Sequence, residues 1–158
     1  MNSTKTLNLI TNQYTIPWSM SRAEQATLIR VLQTIKPKVA IEIGTYNGGS
    51  LQVISAFSDK VYAIDLTPTY RDKQCDALTN VEYLIGDSKI VVPELINQIN
   101  SNNEVVEFIL IDGDHSTKGV LEDITNVLKL LPKQAVTIIL HDSFNPACRK
   151  GMKAYDYN

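Results

Sequence analysis

"VAIEIGTYNGGSLQVISAF", Val39 to Phe57, is the stretch that decides the fold. It begins with an apolar run that ends at Gly44, and a second apolar run follows the glycine pair that starts at Gly48. Glycine permits a sharp turn and close approach of a ligand to the backbone, and the start of a helix offers unpaired N–H groups. The stretch therefore predicts a buried strand, a turn that faces a ligand, and a helix over Gly49–Phe57.

The alternation of strand and helix continues through the rest of the chain. β-rich apolar runs predict strands at Val39–Ile43, Val61–Ile64, Val81–Ile85, Val106–Ile111 and Val136–Leu140. Helical spacing and capping signals predict helices over residues 21–35, 49–57, 89–100 and 117–131. The strand runs are continuously apolar, which is typical of a parallel sheet that helices cover on both faces. We therefore expect an α/β fold built on a doubly wound, mainly parallel sheet of about five strands.

Length and composition restrict the domain organisation and the partners. With 158 residues the chain fits one domain, and we expect an N-terminal arm at residues 1–20 and a single domain at residues 21–158. A formal net charge of −2 gives no electrostatic footprint for nucleic acid, and no apolar run is long enough to predict a membrane span. Two cysteines without a paired spacing suit a reducing compartment, so a cytoplasmic location is expected.

Polar side chains gather where the predicted strands end. They are Glu42, Asp65, Asp87, Ser88, Asp112, Asp114, His115, His141 and Asp142. Ligands of open α/β sheets bind outside the carboxyl ends of the strands. Both histidines of the chain belong to this set, so we predict the functional site at this edge of the sheet.

The segments "FILIDGDHSTKG" and "TIILHDS" predict a metal site within this set. Asp112 and Asp142 are one strand-helix-strand unit apart, so we expect their carboxylates to converge. Carboxylate oxygens suit Mg²⁺, Mn²⁺ or Ca²⁺, and a nearby imidazole shifts the preference toward Mn²⁺, Fe²⁺ or Zn²⁺. In the alternative interpretation Asp114 or Asp87 caps a helix, and His115 or His141 forms ordinary hydrogen bonds at the sheet edge.

Four segments, "AIEIGTYNGGS", "VYAID", "FILIDGDHSTKGVLEDI" and "IILHDS", carry a resemblance to a known family. In this order and spacing they resemble the class I S-adenosylmethionine-dependent methyltransferases. The similarity is to the small-molecule O-methyltransferase branch, which includes the macrocin O-methyltransferase and cephalosporin-hydroxylase-like groups, and it covers about residues 20–145. It implies a Rossmann-like fold, S-adenosylmethionine as the cofactor, and methyl transfer to an oxygen of a small-molecule acceptor.

The resemblance also implies cofactor-binding positions. By motif position they are Glu42, Gly44, Thr45, Tyr46, Gly48, Ser50, Asp65, Asp87, Ser88 and Asp112. The glycine turn would pack against the methionine part of the cofactor, and Asp65 would bind the ribose hydroxyls. Asp87 and Ser88 would read the adenine, although Gly-Asp-Ser also suits a turn and a helix cap. An acidic rim tolerates a positive sulfonium and argues against a nicotinamide dinucleotide.

A metal and the catalytic groups follow from the same resemblance. Several relatives bind a divalent metal after the fourth and fifth strands, which places the ligands here at Asp112, His141 and Asp142. Catechol-type relatives have a carboxylate at the position of His141, so the resemblance leaves open whether a metal is used and whether it is Mg²⁺ or another divalent metal. A bound metal would lower the pKa of an acceptor hydroxyl, and His115 or His141 could take the proton. The predicted catalytic residues are therefore Asp112, His115 and His141.

The end of the chain departs from the family pattern. The family fold has two further strands after the fifth, whereas Ser143 to Asn158 contain no strand-like run. We therefore expect a sheet that lacks the C-terminal strands of the seven-stranded family fold. Two other functions stay open, a non-catalytic module that binds the cofactor and an iron-dependent hydroxylase-like enzyme. The exposed edge of a shortened sheet would also suit a homodimer.

Overall fold

The structure is a computed structural model that describes residues 13–157. Of the predicted N-terminal arm, only residues 13–20 are therefore described. The strands are β1 (Val39–Ile43), β2 (Lys60–Asp65), β3 (Val81–Ile85), β4 (Val106–Ile111) and β5 (Thr137–Leu140). The helices are α1 (Arg22–Ile35), α2 (Leu51–Phe57), α3 (Ser88–Asn102), α4 (Thr117–Val127) and α5 (Pro146–Ala154), with a 3₁₀ helix at Lys73–Ala77. Among the described residues, no helix combines the length and the apolar character that crossing a bilayer requires.

Within residues 13–157, five strands form one parallel sheet in the order β3-β2-β1-β4-β5. The chain moves outward from β1 to β3 and then crosses back to β4 on the other side of β1. At this reversal the connections leave β1 and β4 in opposite directions, which opens a crevice at their carboxyl ends. The arrangement confirms the predicted Rossmann-like, doubly wound sheet.

Helices cover both faces of the sheet. α3, α4 and α5 pack on one face against Ile41 and Ile43, while α1, α2 and Ile16 pack on the other against Ala40. Alternate residues of β1 therefore serve opposite cores, which explains why its sequence is continuously apolar apart from Glu42. Ile16 is only 3% exposed, so the described part of the arm belongs to the same core.

α1 begins with the capping box that the sequence predicts. The Ser21 hydroxyl accepts a hydrogen bond from the Glu24 backbone N–H at 3.3 Å, and Glu24 Oε2 accepts one from the Ser21 backbone N–H at 2.7 Å. The helix ends at Ile35, and its C-cap Lys36 has a left-handed φ of 47° and precedes Pro37. Local signals thus determine both ends of this helix.

α4 ends at Val127, whereas the apolar spacing predicts a helix to Leu131. Leu131 precedes Pro132, and the residue before a proline is disfavoured in the helical conformation. The Asn100 side chain holds the turn that follows the helix, because its Oδ1 accepts a hydrogen bond from the Leu131 N–H at 2.8 Å and its Nδ2 donates one to the Lys129 carbonyl at 3.1 Å. The prediction was therefore wrong at this end of the helix.

α5 is a helix that the sequence analysis did not predict. Asn145 caps it by accepting a hydrogen bond from the Ala147 N–H at 2.9 Å, and Pro146 occupies its first position. Gly151 lets it pack closely on α4, since a Cβ there would lie 2.6 Å from the Thr117 carbonyl oxygen. The Asn-Pro pair was a usable start signal, because both residues favour these positions of a helix.

Candidate cofactor and metal site

A cavity of about 860 Å³ opens at the carboxyl ends of β1, β2, β3 and β4. This volume is within the range of small-molecule and cofactor sites. The sequence-predicted residues that line it are Gly44, Thr45, Tyr46, Ser50, Asp65, Asp87, Ser88, Asp112 and His115. The structure therefore brings most of the predicted set together around one space.

The N-terminal arm forms part of the wall, through Pro17, Ser19 and Met20. Gln52 of α2 fastens the arm, because its Oε1 accepts a hydrogen bond from the Ile16 N–H at 3.0 Å and its Nε2 donates one to the Ile16 carbonyl at 2.8 Å. Sequence reasoning missed these residues. No local pattern indicates them, because only the fold brings the arm against α2.

The turn between β1 and α2 brings backbone close to the cavity. Gly44 has a φ of 89°, and a Cβ at this position would collide with the Asp112 carbonyl oxygen. Only glycine therefore lets the ends of β1 and β4 approach one another. Asp65, at the tip of β2, fixes the next residues, since its Oδ2 accepts hydrogen bonds from the Thr45 N–H at 2.9 Å and the Tyr46 N–H at 2.7 Å. A carboxylate has further lone pairs, so Asp65 keeps acceptor capacity toward the cavity.

Glu42 and Gly48 lie behind the cavity wall. The sequence predicts cofactor contact for both, whereas neither residue lines the cavity. Glu42 is 0% exposed, its Oε1 accepts a hydrogen bond from the Ser50 hydroxyl at 2.5 Å, and its Oε2 has no partner among the described residues. Burial raises the pKa of Glu42 to about 8; the Ser50 hydrogen bond opposes this rise, and the charges of Asp112 and Asp65 add to it. Glu42 is therefore mostly neutral at pH 7, and it contacts Ser50, which lines the cavity.

The end of β3 combines a helix cap with the cavity lining. Asp87 caps α3, because its Oδ1 accepts a hydrogen bond from the Lys89 N–H at 3.0 Å. Asp87, Ser88 and Lys89 all line the cavity. The Lys89 ammonium lies 3.5 Å from Glu122 Oε2 and 3.8 Å from Asp114 Oδ2. The capping role of Asp87 and contact with a ligand are therefore compatible.

Two carboxylates and an imidazole converge beside the cavity. Asp112, His115 and Asp142 each offer one ligand atom, and these atoms lie within 4.8 Å of one another. His115 Nε2 is 3.5 Å from Asp112 Oδ1 and 3.3 Å from Asp142 Oδ2. Ligand atoms bonded to one metal at about 2.1 Å are roughly 3 to 4 Å apart, so the geometry and the donor types fit a divalent cation.

His141 lies between the two aspartates of the cluster and Glu24 of α1. Its Nδ1 lies 3.0 Å from Asp112 Oδ1 and 3.3 Å from Asp142 Oδ1, and its buried Nε2 lies 3.5 Å from Glu24 Oε1. The hydrogen bond to Asp112 raises the pKa of His141, and the charges of Asp112, Asp142 and Glu24 add to the rise against the effect of burial. The His141 side chain is 12% exposed and that of His115 is 51% exposed. His115 is thus the more exposed imidazole of the cluster, and His141 is the less exposed one.

An aromatic pair stands at the rim on the β2 side. The rings of Tyr46 and Tyr70 are 5.5 Å apart between centroids, and both residues are more than half exposed. Both line the cavity. Tyr70 was missed by sequence reasoning, because it lies in a connection without a motif and meets Tyr46 only in the folded chain.

Comparison with known proteins agrees with the fold. A family model described as a methyltransferase domain matches residues 41–143. None of the curated proteins gives a significant match to this sequence. Solved structures do: a cofactor-bound protein from MTB is 15% identical with a TM-score of 0.68, and the match covers 98% of this chain and 78% of that one.

Two O-methyltransferases are among the similar structures. One is from Bacillus cereus, in complex with SAH, with 19% identity, a TM-score of 0.62, and coverage of 98% of this chain and 79% of that one. The other is TomG from Streptomyces achromogenes, in complex with SAM. It is 12% identical with a TM-score of 0.65, and the match covers 98% of this chain and 78% of that one. At these identities the similarity establishes the shared fold.

Proposed function

This chain belongs to the methyltransferase domain family, whose model matches residues 41–143, and on that premise we propose that it transfers a methyl group from S-adenosylmethionine to an oxygen of a small-molecule acceptor. The observation that carries the proposal is the cavity at the carboxyl ends of the strands, with Asp112 and His115 in its wall. The complexes of the two similar O-methyltransferases with SAH and SAM support the same cofactor.

The charge of the cavity supports a cationic cofactor. Its wall contains four aspartates, and Lys89 is the only Lys or Arg among the residues that line it in the described chain. Lys89 is already paired with Glu122 and Asp114. A sulfonium and an α-ammonium are attracted by such a wall, whereas the pyrophosphate of a nicotinamide dinucleotide is repelled. The proposed cofactor is therefore S-adenosylmethionine.

The proposed chemistry uses the cluster at the end of β4 and β5. The acceptor hydroxyl would face His115, which is exposed enough to take its proton, while Asp112 and His141 hold the surrounding groups in place. The acceptor oxygen forms a bond to the methyl carbon, the carbon–sulfur bond breaks, and its electron pair stays on sulfur to give S-adenosylhomocysteine. Positioning the oxygen in line with the methyl group supplies much of the acceleration.

Asp112, His115 and Asp142 are the residues that would hold a divalent metal. Mg²⁺ suits the two carboxylates, and the imidazole also admits Mn²⁺, Fe²⁺ or Zn²⁺. When bound, such an ion would lower the pKa of an acceptor hydroxyl, and His115 would then serve as a ligand rather than as the proton acceptor. The resemblance instead implies Asp112, His141 and Asp142, and the two sets differ in the histidine that they contain.

Isothermal titration with S-adenosylhomocysteine tests the proposal, with and without Mg²⁺ and with NAD⁺ as the control ligand. We expect binding of S-adenosylhomocysteine and no binding of NAD⁺. Asp65→Ala should weaken the binding, because it removes the carboxylate that shapes the turn at Thr45 and Tyr46. Asp59→Ala, at an exposed position outside the cavity, should leave it unchanged. A chain that binds NAD⁺ instead would contradict the proposal.

An iron-dependent hydroxylase-like activity is the second candidate. The observation that favours it is the imidazole beside two carboxylates, since open sites of histidine and carboxylate ligands are used by non-haem iron enzymes. Methyl transfer to an acceptor in the presence of Mg²⁺ and absence of iron would reject it. Binding of S-adenosylhomocysteine without turnover on any acceptor would instead indicate a non-catalytic module.

A further inference from the structure

His141 has one ring nitrogen beside the two aspartates of the cluster and the other beside Glu24 of α1. Its Nδ1 lies 3.0 Å from Asp112 Oδ1 and 3.3 Å from Asp142 Oδ1. Its Nε2 is buried and has no hydrogen-bond partner among the described residues, and Glu24 Oε1 is 3.5 Å away. A shift of about 0.5 Å would bring this pair into the usual hydrogen-bond range. Because buried ring nitrogens are normally paired, Glu24 is the group that would satisfy Nε2.

The Glu24 carboxylate is held in place from the side of α1. Its Oε2 accepts a hydrogen bond from the Ser21 backbone N–H at 2.7 Å, as part of the capping box. The hydrogen bonds with Ser21 lower the pKa of Glu24, burial opposes the lowering, and the charge of His141 adds to it. Glu24 is therefore ionised at neutral pH. A carboxylate that is fixed at one oxygen can fix a partner at the other with little further loss of side-chain entropy.

His141 connects this carboxylate to the candidate metal cluster. If the imidazole turned about its side-chain bonds, Nδ1 would withdraw from Asp112 Oδ1 and from Asp142 Oδ1 together. Groups that hydrogen-bond to metal ligands orient those ligands, and their loss typically lowers the affinity for the metal. A series of contacts through Glu24 and His141 therefore links the first turn of α1 to the two aspartates that follow β4 and β5.

We infer that Glu24 is a positioning residue, which holds the His141 ring against Asp112 and Asp142 so that the two carboxylates converge on one divalent cation. The inference rests on the metal site of the proposed function. Glu24 is not among the residues that line the cavity, so this role requires no contact with the ligand there. The capping box uses only Oε2, and the contact with His141 accounts for the position of Oε1.

Calorimetric titration of the full chain with Mn²⁺ alone tests the inference. Glu24→Ala removes both contacts and should lower the Mn²⁺ affinity by about 10- to 100-fold. Glu24→Gln keeps hydrogen-bonding groups for both Ser21 and His141, so it should lower the affinity by no more than about threefold, the size of a lost exposed charge. Ser21→Ala removes the cap hydroxyl but leaves Glu24 and its backbone contact, so it should leave the affinity unchanged.

The His141 ring gives a second measurement that needs no metal. The chain has only two histidines, so the ring signals in long-range ¹H–¹⁵N spectra can be assigned with His115→Ala. Glu24→Ala should move the His141 Nε2 resonance, because the group beside this nitrogen is lost, whereas Ser21→Ala should leave the resonance in place. Far-UV circular dichroism of each variant checks that it is folded.

Three results would overturn the inference. They are an unchanged Mn²⁺ affinity or Nε2 resonance in Glu24→Ala, an equally large loss of affinity in Ser21→Ala, and an equally large loss in Glu24→Gln. The second result would assign the effect to the helix cap, and the third would assign it to charge. An unaltered chain that binds no Mn²⁺ would overturn the metal site and this inference together. An unaltered chain that binds Mn²⁺ but not S-adenosylhomocysteine would contradict the proposed cofactor alone.

Discussion

Glu42 connects the stability of this fold to pH at the scale of a single residue. Its pKa is raised from 4.5 to about 8 in the folded chain, chiefly by burial. The folded state therefore holds a proton that the unfolded state loses above about pH 4.5. We expect the contribution of Glu42 to be fully present below that pH and to be lost as the pH rises toward 8, a change on the order of 3 to 5 kcal/mol in the free energy of unfolding.

Urea unfolding of the chain and of Glu42→Gln, at several pH values between about 5 and 9, measures this effect. Glutamine stays neutral, so the variant should lose less stability than the unaltered chain across this interval. Because both proteins share every other titrating group, the difference between their two curves isolates residue 42. Parallel curves would show that the pKa of Glu42 is not raised in the folded chain.

Of the two histidines, His115 is the one whose loss should reduce metal binding more. It lies within 3.5 Å of both aspartates of the cluster and is half exposed, whereas the His141 side chain is only 12% exposed. We expect His115→Ala to lower the affinity for Mn²⁺ by at least about tenfold in a calorimetric titration with the metal alone. Lys118→Ala, on the exposed side of α4, is the control and should leave the affinity unchanged. Unchanged Mn²⁺ binding in His115→Ala would assign the third ligand to His141, as the sequence predicts.

At the scale of elements, the contact between α5 and α4 depends on one glycine. A Cβ at position 151 would lie 2.6 Å from the Thr117 carbonyl oxygen and 2.9 Å from Val120 Cβ, both too close without a shift of the helices. We expect Gly151→Ala to lower the free energy of unfolding by about 1 to 3 kcal/mol, although alanine favours a helix by about 1 kcal/mol over glycine. Urea unfolding measures the change.

Ala154→Ser is the matched control for this helix. Ala154 is exposed on the last turn of α5, so the substitution should change the free energy of unfolding by less than about 0.5 kcal/mol. A stabilised Gly151→Ala protein would mean that α5 does not rest on α4 at this position. The sequence contains the cap of α5, but the closeness of the two helices is a property of the fold.

At the scale of the whole molecule, a ligand in the cavity should stabilise the entire domain. The cavity is bounded by four strand ends and by the N-terminal arm, so unfolding any of these parts would destroy the site. At a concentration of S-adenosylhomocysteine about 100 times its dissociation constant, the free energy of unfolding should rise by about 2.7 kcal/mol, or several degrees in Tm. Differential scanning calorimetry should show one transition that moves as a unit, and NAD⁺ should not move it. A transition that splits would show that part of the wall folds separately.

The fold was predictable to a large extent because its signals are local. The β1 run and the runs of β3 and β4 coincide with the observed strands, and the capping box of α1 is present as predicted. Apolar runs, caps and glycine turns act over a few residues, so the chain displays them directly. The error at the C-terminal end of α4 arose because Pro132 and the Asn100 side chain outweighed the apolar pattern. The helix α5 was missed because its packing on α4 is not visible in the apolar pattern.

The sequence by itself determined the order in which strands and helices follow one another along the chain. It also determined the edge of the sheet at which the candidate site lies, because parallel strands place their carboxyl ends together. Only the tertiary structure decided how the site is assembled. It placed His115 with the two aspartates, brought Glu24 of α1 to His141, turned Glu42 inward, and set Asp123 behind the cavity floor. These relations join residues that are far apart in the chain. They depend on distances of a few ångströms between packed elements, and no local pattern of residues carries that information.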